Sequence, residues 1–191
     1  LGDEPELLRD VDAEVRHDRL NHRLFAELEE EDVPFAGAGR GIGRGIAEEF
    51  AVEGAQVMLA ARTLSYAEEA RAAIRDAGGT AEIFQLDVKD KGACLTLVAA
   101  TARHFGGIDV IVHAAADIPH GGIGQVSDDA LDAGFDSIAK AAWWLLEAAR
   151  PWLSASVDGG RFIAIGSICG PITTVPGMTS YAMAKSALDG F

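Results

Sequence analysis

Residues 36–45 read Ala-Gly-Ala-Gly-Arg-Gly-Ile-Gly-Arg-Gly, and this stretch decides the fold. Gly37, Gly41 and Gly43 follow the spacing Gly-x-x-x-Gly-x-Gly, with a short apolar segment before them and a helical pattern after them. Glycines at such a junction let the chain turn sharply after a strand, bring bare backbone against a pyrophosphate and direct helix N–H groups at it. The stretch therefore predicts a strand–turn–helix unit that binds a dinucleotide, with a plain flexible loop as the alternative.

The rest of the chain alternates between apolar runs and helical patterns. We expect strands at 33–36, 55–61, 80–86, 108–114 and 161–165, and helices at 41–53, 65–77, 89–105, 127–153 and 180–191. Strands that alternate with helices of this length favour right-handed βαβ units and a parallel sheet covered on both faces. The predicted fold class is α/β: a doubly wound parallel sheet in a three-layer α/β/α, Rossmann-like domain spanning residues 33–191.

Three residues in these elements carry local expectations. Ser65, followed by Glu68 three residues later, has the spacing of a capping box and is expected to be an N-cap. Ser180 is expected to cap the last helix. Pro34 has no N–H to donate, and it therefore argues against a regular strand at 33–36 in the centre of a sheet.

Residues 1–32 differ from the remainder in charge. They carry twelve acidic residues and four arginines, so more than half of the net charge of −14 lies there. Apolar residues recur at steps of four or five at Leu7, Val11, Val15, Leu20, Leu24 and Leu28. The segment is predicted to be an acidic, amphipathic N-terminal arm that is solvated or docked, with a specific partner site as the alternative.

Composition excludes several classes of protein. Apolar residues make up 49% of 191 residues, enough for one domain with a full core, while the net charge argues against binding nucleic acid or an anionic membrane. The apolar runs are far shorter than the ~20 residues of a membrane span, and no signal peptide is expected. Cys94 and Cys169 are interpreted as reduced thiols, which favours a cytoplasmic protein. No zinc-like spacing occurs, and His17 and His22 do not make a metal pair, so no metal is expected.

Tyr181 and Lys185 lie four residues apart, so both project from one face of the last predicted helix. An ammonium beside a phenol favours the phenolate form and eases proton exchange near neutral pH. Ser167 ends the strand before that helix, 14 residues ahead of Tyr181, and its hydroxyl can bond a reacting oxygen. The three residues are the candidate catalytic set.

Over roughly residues 35–191 the sequence resembles the classical short-chain dehydrogenase/reductase family. The loop of that family, TGxxxGIG, is matched from Gly37 to Gly43 with Ala36 in place of threonine, and the Ser, Tyr and Lys pattern is also present. The resemblance implies an oxidoreductase that transfers a hydride between a nicotinamide cofactor and a secondary alcohol or ketone. The positions it implies for the cofactor are Gly37, Gly39, Arg40, Gly41, Ile42, Gly43, Arg62, Asp87, Val88, Ala114, Ala115, Tyr181 and Lys185.

The choice of cofactor is predicted from the residues after the second strand. NAD-specific folds carry an acid there for the ribose 2′-OH, whereas this chain has Arg62 and no carboxylate. Arg40 lies in the glycine loop, where NADP-preferring members of the family carry a second basic residue. Two arginines suit a 2′-phosphate, so NADP(H) is favoured over NAD(H). By resemblance, Asp87 contacts the adenine amino group.

The resemblance also implies the catalytic roles. Tyr181 exchanges a proton with the substrate oxygen, Lys185 holds the nicotinamide ribose, and Ser167 orients the carbonyl. Ile138, or Ser137 one residue away, replaces an asparagine that anchors a proton relay in the family, so turnover is expected to suffer. His113-Ala-Ala-Ala replaces the usual Asn-Asn-Ala-Gly, and His113 is interpreted as structural.

Family members continue past the equivalent of Phe191 with a substrate-covering loop and a further strand. We therefore expect a fragment or shortened variant whose sheet is incomplete at its C-terminal edge, and a small carbonyl or alcohol substrate that the sequence does not identify. Trp143 and Trp144 are expected in the core of a helix that pairs subunits in this family, which predicts a homodimer or homotetramer. The alternatives are a non-catalytic NADP(H)-binding module and an inactive self-associating protein.

Overall fold

The computed structural model describes residues 31–191, so the predicted arm at 1–32 lies outside the described residues except for its last two. The chain alternates between strands and helices throughout this range. The strands are β1 (Asp32–Ala36), β2 (Gln56–Ala61), β3 (Thr80–Gln85), β4 (Val110–His113) and β5 (Arg161–Ala164). The α-helices are α1 (Gly41–Val52), α2 (Leu64–Asp76), α3 (Lys91–Phe105), α4 (Asp128–Phe135), α5 (Ala141–Ala155) and α6 (Thr179–Asp189).

The five strands form one parallel sheet in the order β3-β2-β1-β4-β5. Side chains on one face, such as Val57 and Leu59, pack against the buried residues of α1 and α2. Side chains on the opposite face, such as Met58 and Ala60, pack with the buried residues of α3 and α5. The predicted three-layer, doubly wound α/β fold is thus confirmed.

The predicted strand β1 forms in the centre of the sheet, although Pro34 argued against a regular strand there. The N–H of Gly37 donates to a β2 carbonyl (2.9 Å), whereas the Ala36 carbonyl accepts from the N–H of Ala114 beyond β4 (2.8 Å). The backbone groups of successive β1 residues therefore point alternately to β2 and to β4, and the nitrogen of Pro34 points to β4. The register between β1 and β4 begins at Phe35, one residue past the proline, while β1 pairs with β2 along its whole length. Pro34 therefore weakens the pairing of β1 with β4 but not its pairing with β2.

Both predicted serine caps are wrong. α2 begins at Leu64 with Thr63 as its N-cap, and no side-chain cap bond forms there. The extended backbone that an N-cap requires is at Thr63, and Ser65 is already helical. α6 begins at Thr179, and the buried hydroxyl of Ser180 donates instead to the carbonyl of Pro119 (3.3 Å).

The long helix predicted at 127–153 is interrupted. A π-helical segment, Asp136–Lys140, joins α4 to α5. Such segments are frequent at functional sites because the extra residue re-aims neighbouring side chains. Beyond it, Trp144 packs against the core, but Trp143 is 58% exposed and its ring lies 6.3 Å from that of Phe191, so the prediction of a core position for Trp143 is wrong.

In the described part of the chain, β5 is the edge strand on its side of the sheet, in line with the expected incomplete C-terminal edge. Arg161 and Ile163 of β5 are exposed, whereas every residue of β4 is buried. No helix between Glu31 and Phe191 is long and apolar enough to cross a membrane.

Two acidic residues are buried at the start of β1, at the end of the segment predicted to be a solvated or docked arm. Glu31 pairs with Arg161 at 3.0 Å, and Asp32 accepts from the side-chain amide of Gln56 (3.1 Å). Burial is the main cause that raises the pKa of both carboxyl groups, and the nearby Asp109 adds to it. β1 therefore begins one residue before the predicted domain boundary, with its charges held by partners on β2 and β5.

Candidate active site

A cleft of about 370 Å³ opens at the carboxyl ends of β1 to β4. The chain runs from β1 to β2 and β3 on one side and to β4 and β5 on the other, so the strand order reverses between β1 and β4. In open α/β sheets, ligands bind at this reversal. Eight of the predicted cofactor positions line the cleft: Gly37, Gly39, Arg40, Arg62, Asp87, Val88, Ala114 and Ala115.

The glycine loop is packed directly against the segment that follows β4. Gly37 has a φ of +97°, and a Cβ there would lie 2.6 Å from the backbone nitrogen of Ala115. A Cβ at Gly43 would collide with the Gly37 carbonyl oxygen. Two of the three glycines in the predicted pattern are therefore required by close backbone packing, which holds the glycine loop and the first turn of α1 against the segment after β4.

The other residues of that first turn have no side chain in the cleft. Gly41 has a φ of +59° and open space around its Cα, and the side chain of Ile42 is 67% exposed. Gly41, Ile42 and Gly43 begin α1, where the first N–H groups of a helix lack intrahelical acceptors. These three residues can therefore contribute backbone donors, not side chains, to an anion in the cleft.

Charged side chains cross the rim of the cleft. Arg40 is exposed at the N-cap of α1, and a guanidinium nitrogen of Arg62 lies 3.6 Å from a carboxylate oxygen of Asp117. The ammonium of Lys89 donates to the other oxygen of Asp117 at 2.9 Å, and this bond raises the pKa of Lys89. Sequence reasoning missed Asp117 and Lys89, although both follow closely after strands, the position where functional side chains gather in parallel sheets.

Ser167, Tyr181 and Lys185 lie outside the cleft lining, beyond the end of β5. Lys185 is 4% exposed; its ammonium donates to the carbonyl of Ile165 and lies 5.9 Å from the centre of the Tyr181 ring. Burial lowers the pKa of Lys185. Ser167, two residues after Ile165, accepts from the N–H of Cys169 (3.0 Å), so its own hydroxyl hydrogen is not used in that bond. The structure thus places Lys185 beside Tyr181 and bonds it to the backbone two residues before Ser167.

The two residues at the position of the family asparagine have separate environments. Ile138 is fully buried, and its carbonyl oxygen lies 3.0 Å from Nε2 of His113. Ser137 lines the cleft, where its hydroxyl accepts from the N–H of Asp117 (2.9 Å) and donates to the carbonyl of Gly134 (3.1 Å). Of these two residues, Ser137 has the polar side chain that lines the cleft, and its hydroxyl is bonded to backbone groups of Asp117 and Gly134.

His113 is enclosed at the end of β4. Burial lowers its pKa to about 4, so the ring is neutral at pH 7 and Nε2 carries the hydrogen that is donated to Ile138. Nδ1 has no hydrogen-bond partner among the described residues. This environment fits the predicted structural role, and no group of His, Cys, Asp and Glu in residues 31–191 has the arrangement of a metal site.

The buried His113 makes a testable contribution to acid sensitivity. Its pKa is about 4 in the folded protein and near 6.5 when unfolded, so the unfolded chain binds more protons between these values. Stability is therefore full above pH 6.5 and is lost as the pH falls toward 4, by about 2 kcal/mol between pH 7.5 and pH 5. Urea unfolding of wild type and His113→Gln at both pH values measures this loss. The variant retains a donor but does not titrate, so its pH dependence should be flatter; parallel profiles would contradict the assignment.

The cleft is suited to a nicotinamide dinucleotide. It combines a glycine loop at which added Cβ atoms would clash, a helix N-terminus, small residues after β4 and arginines at the rim. Comparison with known proteins agrees. The family described as enoyl-(acyl carrier protein) reductase matches residues 37–191. A short chain dehydrogenase from Burkholderia cenocepacia, solved in complex with NADP, is 30% identical with a TM-score of 0.80, covering 85% of this chain and 66% of that one.

The chain belongs to the short-chain dehydrogenase/reductase family. Galactitol 2-dehydrogenase of Agrobacterium fabrum is 34% identical over 134 residues, which are 70% of this chain and 51% of that protein. An NADH-dependent reductase responsible for alginate metabolism is 27% identical, with a TM-score of 0.81 over 87% of this chain and 70% of that structure. The chain spans little more than half the length of the first curated dehydrogenases and reductases that it matches.

Proposed function

We propose that the protein is an NADP(H)-dependent oxidoreductase that interconverts a secondary alcohol and a ketone. The observation that carries this proposal is the cleft at the strand reversal, where the Gly37 loop packs on Ala115 and Arg40 and Arg62 stand at the rim. Membership of the short-chain dehydrogenase/reductase family supports the reaction class. The absence of a carboxylate at the end of β2 supports NADP(H) over NAD(H).

The cofactor would supply or accept the hydride, and the residues of the cleft would position it. Backbone at Gly37 and Gly39 and the N–H groups at Gly41, Ile42 and Gly43 would hold the pyrophosphate. Arg40 and Arg62 would take the 2′-phosphate, since a guanidinium donates two parallel bonds to a phosphate. Asp87 and Val88 would lie at the adenine, and the small side chains of Ala114 and Ala115 would leave room for the ribose.

The substrate oxygen would be handled by the residues beyond β5. Tyr181 would give it a proton in the reductive direction and remove one in the oxidative direction. Lys185 uses one of its three N–H donors on the Ile165 carbonyl, and we propose that another holds the nicotinamide ribose. Ser167 would donate its free hydroxyl hydrogen to the same substrate oxygen and orient it.

The substrate class proposed is a small carbonyl or alcohol compound, and the assembly proposed is a homodimer or homotetramer. The net charge of −14 argues against a nucleic-acid partner. A cytoplasmic location belongs to the same proposal; the two cysteines are buried and unpaired, as in a reducing compartment.

The second candidate is a non-catalytic NADP(H)-binding module. Ser137 and Ile138 favour it because neither supplies the amide that the family uses in its proton relay, and both are engaged within the protein. This candidate shares the cofactor cleft with the enzyme and differs from it in turnover alone.

Cofactor affinity tests the cleft. We expect NADPH to bind more tightly than NADH, and the double variant Arg40→Gln, Arg62→Gln to lose at least about tenfold in NADPH affinity, because hydrogen bonds to charged groups contribute about 1.5–3 kcal/mol each. Quenching of tryptophan fluorescence during titration measures both affinities. Arg103→Gln, an exposed change on α3 outside the cleft, serves as the control and should leave them unchanged. Equal affinities for NADPH and NADH would contradict the cofactor preference, and binding of neither would contradict the function.

A further inference from the structure

The ion pairs of Asp117 span the cleft, because they join the segment after β4 to the segments after β2 and β3. Arg62 directly follows β2, Lys89 follows β3, and Asp117 follows β4, while β1 lies between β2 and β4. The contacts of Asp117 with Arg62 (3.6 Å) and with Lys89 (2.9 Å) therefore both pass over the end of β1, where the glycine loop begins. Arg62 and Asp117 line the same cleft as Gly37.

Asp117 is held at this position from two directions. Its backbone N–H donates to the Ser137 hydroxyl at 2.9 Å, and that hydroxyl is itself bonded to the Gly134 carbonyl. Its side chain is about one-third exposed and accepts a 2.9 Å hydrogen bond from the Lys89 ammonium. The carboxylate is thus held by more contacts than the Arg62 guanidinium, whose side chain is 63% exposed.

The Asp117 carboxylate pairs with Arg62, the cation that the proposed function assigns to the 2′-phosphate of the cofactor. A phosphate monoester carries a charge of about −1.5 to −2 at pH 7 and three acceptor oxygens, so it attracts a guanidinium more strongly than a carboxylate does. An adenosine without a 2′-phosphate has no anion to offer Arg62 in exchange. Asp117 therefore opposes the binding of ligands that carry a 2′-phosphate and does not oppose ligands that lack one.

We propose that Asp117 is a specificity-determining residue of the cofactor cleft, which holds Arg62 in the free protein and must give it up when a 2′-phosphate binds. The inference rests on the proposed function, because it assumes that Arg62 receives that phosphate. Asp117 lowers the affinity for 2′-phosphorylated ligands, both by occupying Arg62 and by placing a negative charge near the phosphate. Ligands without the 2′-phosphate leave the contact between Arg62 and Asp117 in place.

The test uses Asp117→Asn and two probes, adenosine 2′,5′-bisphosphate and adenosine 5′-monophosphate. The variant should bind the bisphosphate and NADPH about 3- to 10-fold more tightly than wild type, the range expected for loss of a partly exposed ion pair. Affinity for the monophosphate and for NADH should change less than about twofold. Isothermal titration calorimetry measures all four, and thermal melting shows that the variant is folded. Glu147→Gln, which removes the exposed 3.4 Å pair with Lys91 away from the cleft, is the matched control and should bind as wild type does.

The outcomes separate this inference from the proposed function. If wild type prefers NADPH and Asp117→Asn binds the bisphosphate no more tightly, or tightens all four ligands equally, the role of Asp117 is overturned while the cofactor assignment stands. If neither protein binds NADPH or the bisphosphate, the proposed function fails and the inference fails with it.

Discussion

Replacing Tyr181 with phenylalanine is expected to lower turnover by about a hundred- to ten-thousand-fold, the usual contribution of a positioned general acid or base. The hydroxyl is the group proposed to exchange a proton with the substrate oxygen, and the buried ammonium of Lys185 lies 5.9 Å from the ring centre. Affinity for NADPH should be retained, because phenylalanine keeps the ring and Lys185 keeps its bond to the Ile165 carbonyl.

Loss of NADPH absorbance with a panel of small ketones measures turnover, and titration measures affinity. Tyr66→Phe is the matched control: it removes the same hydroxyl from the only other tyrosine, which lines the cleft on α2. That variant should keep the turnover of wild type when NADPH is saturating, because Tyr66 lines the cofactor cleft and does not belong to the proposed catalytic set. Equal turnover in Tyr181→Phe and wild type would refute the catalytic assignment. A wild-type chain that binds NADPH and turns over no ketone or alcohol would favour the non-catalytic module.

Replacing Gly37 with alanine is expected to abolish NADPH binding and to destabilise the fold by roughly 3 kcal/mol. A φ of +97° is strained for any residue with a Cβ, which costs about 1–3 kcal/mol. The added carbon would also lie 2.6 Å and 2.8 Å from the backbone nitrogen and Cα of Ala115, and overpacking of this kind costs about 1–3 kcal/mol. Because those contacts are backbone atoms, relief requires the glycine loop or the segment after β4 to move, and both line the cleft.

Urea unfolding measures the stability of this variant and titration with NADPH measures its affinity. Gly45→Ala is the control from the same loop-to-helix segment. A Cβ at Gly45 meets no atom within 4 Å and the residue lies inside α1, so alanine should raise stability by about 0.5–1 kcal/mol and leave binding intact. Wild-type affinity in Gly37→Ala would show that the close approach of the loop to Ala115 is not needed for the cofactor.

Most of the fold was predictable from local pattern. Every predicted strand forms, and so does every predicted helix except the one at 127–153, which is divided by the π-helical segment Asp136–Lys140. The errors lie where a residue's neighbour in space, not in sequence, determines its role. Pro34 was judged by its missing N–H alone, yet the cost depends on which adjacent strand that nitrogen faces. Ser65 had the spacing of a cap, but the helix begins at Leu64, directly after Thr63, so Ser65 is already inside it.

The candidate site shows the same division. Glycine spacing and the Tyr181–Lys185 interval are local features, and they were sufficient to indicate residues that lie near the carboxyl ends of the strands. Asp117 and Lys89 were missed because neither belongs to a motif. Their importance comes from the strand order, which places the ends of β2, β3 and β4 within reach of one another.

The sequence by itself determined the α/β class, the parallel sheet and the residues that form the glycine loop, because strand and helix periodicity and the need for glycine at sharp turns act over a few neighbouring residues. Only the tertiary structure decided that Pro34 fits a central strand, that Ser137 and not Ile138 faces the cleft, and that Asp117 holds Arg62 across it. Arg62 and Asp117 are distant in the chain, and ion pairs act over a few ångströms, so the contact exists only once β1 has been placed between β2 and β4.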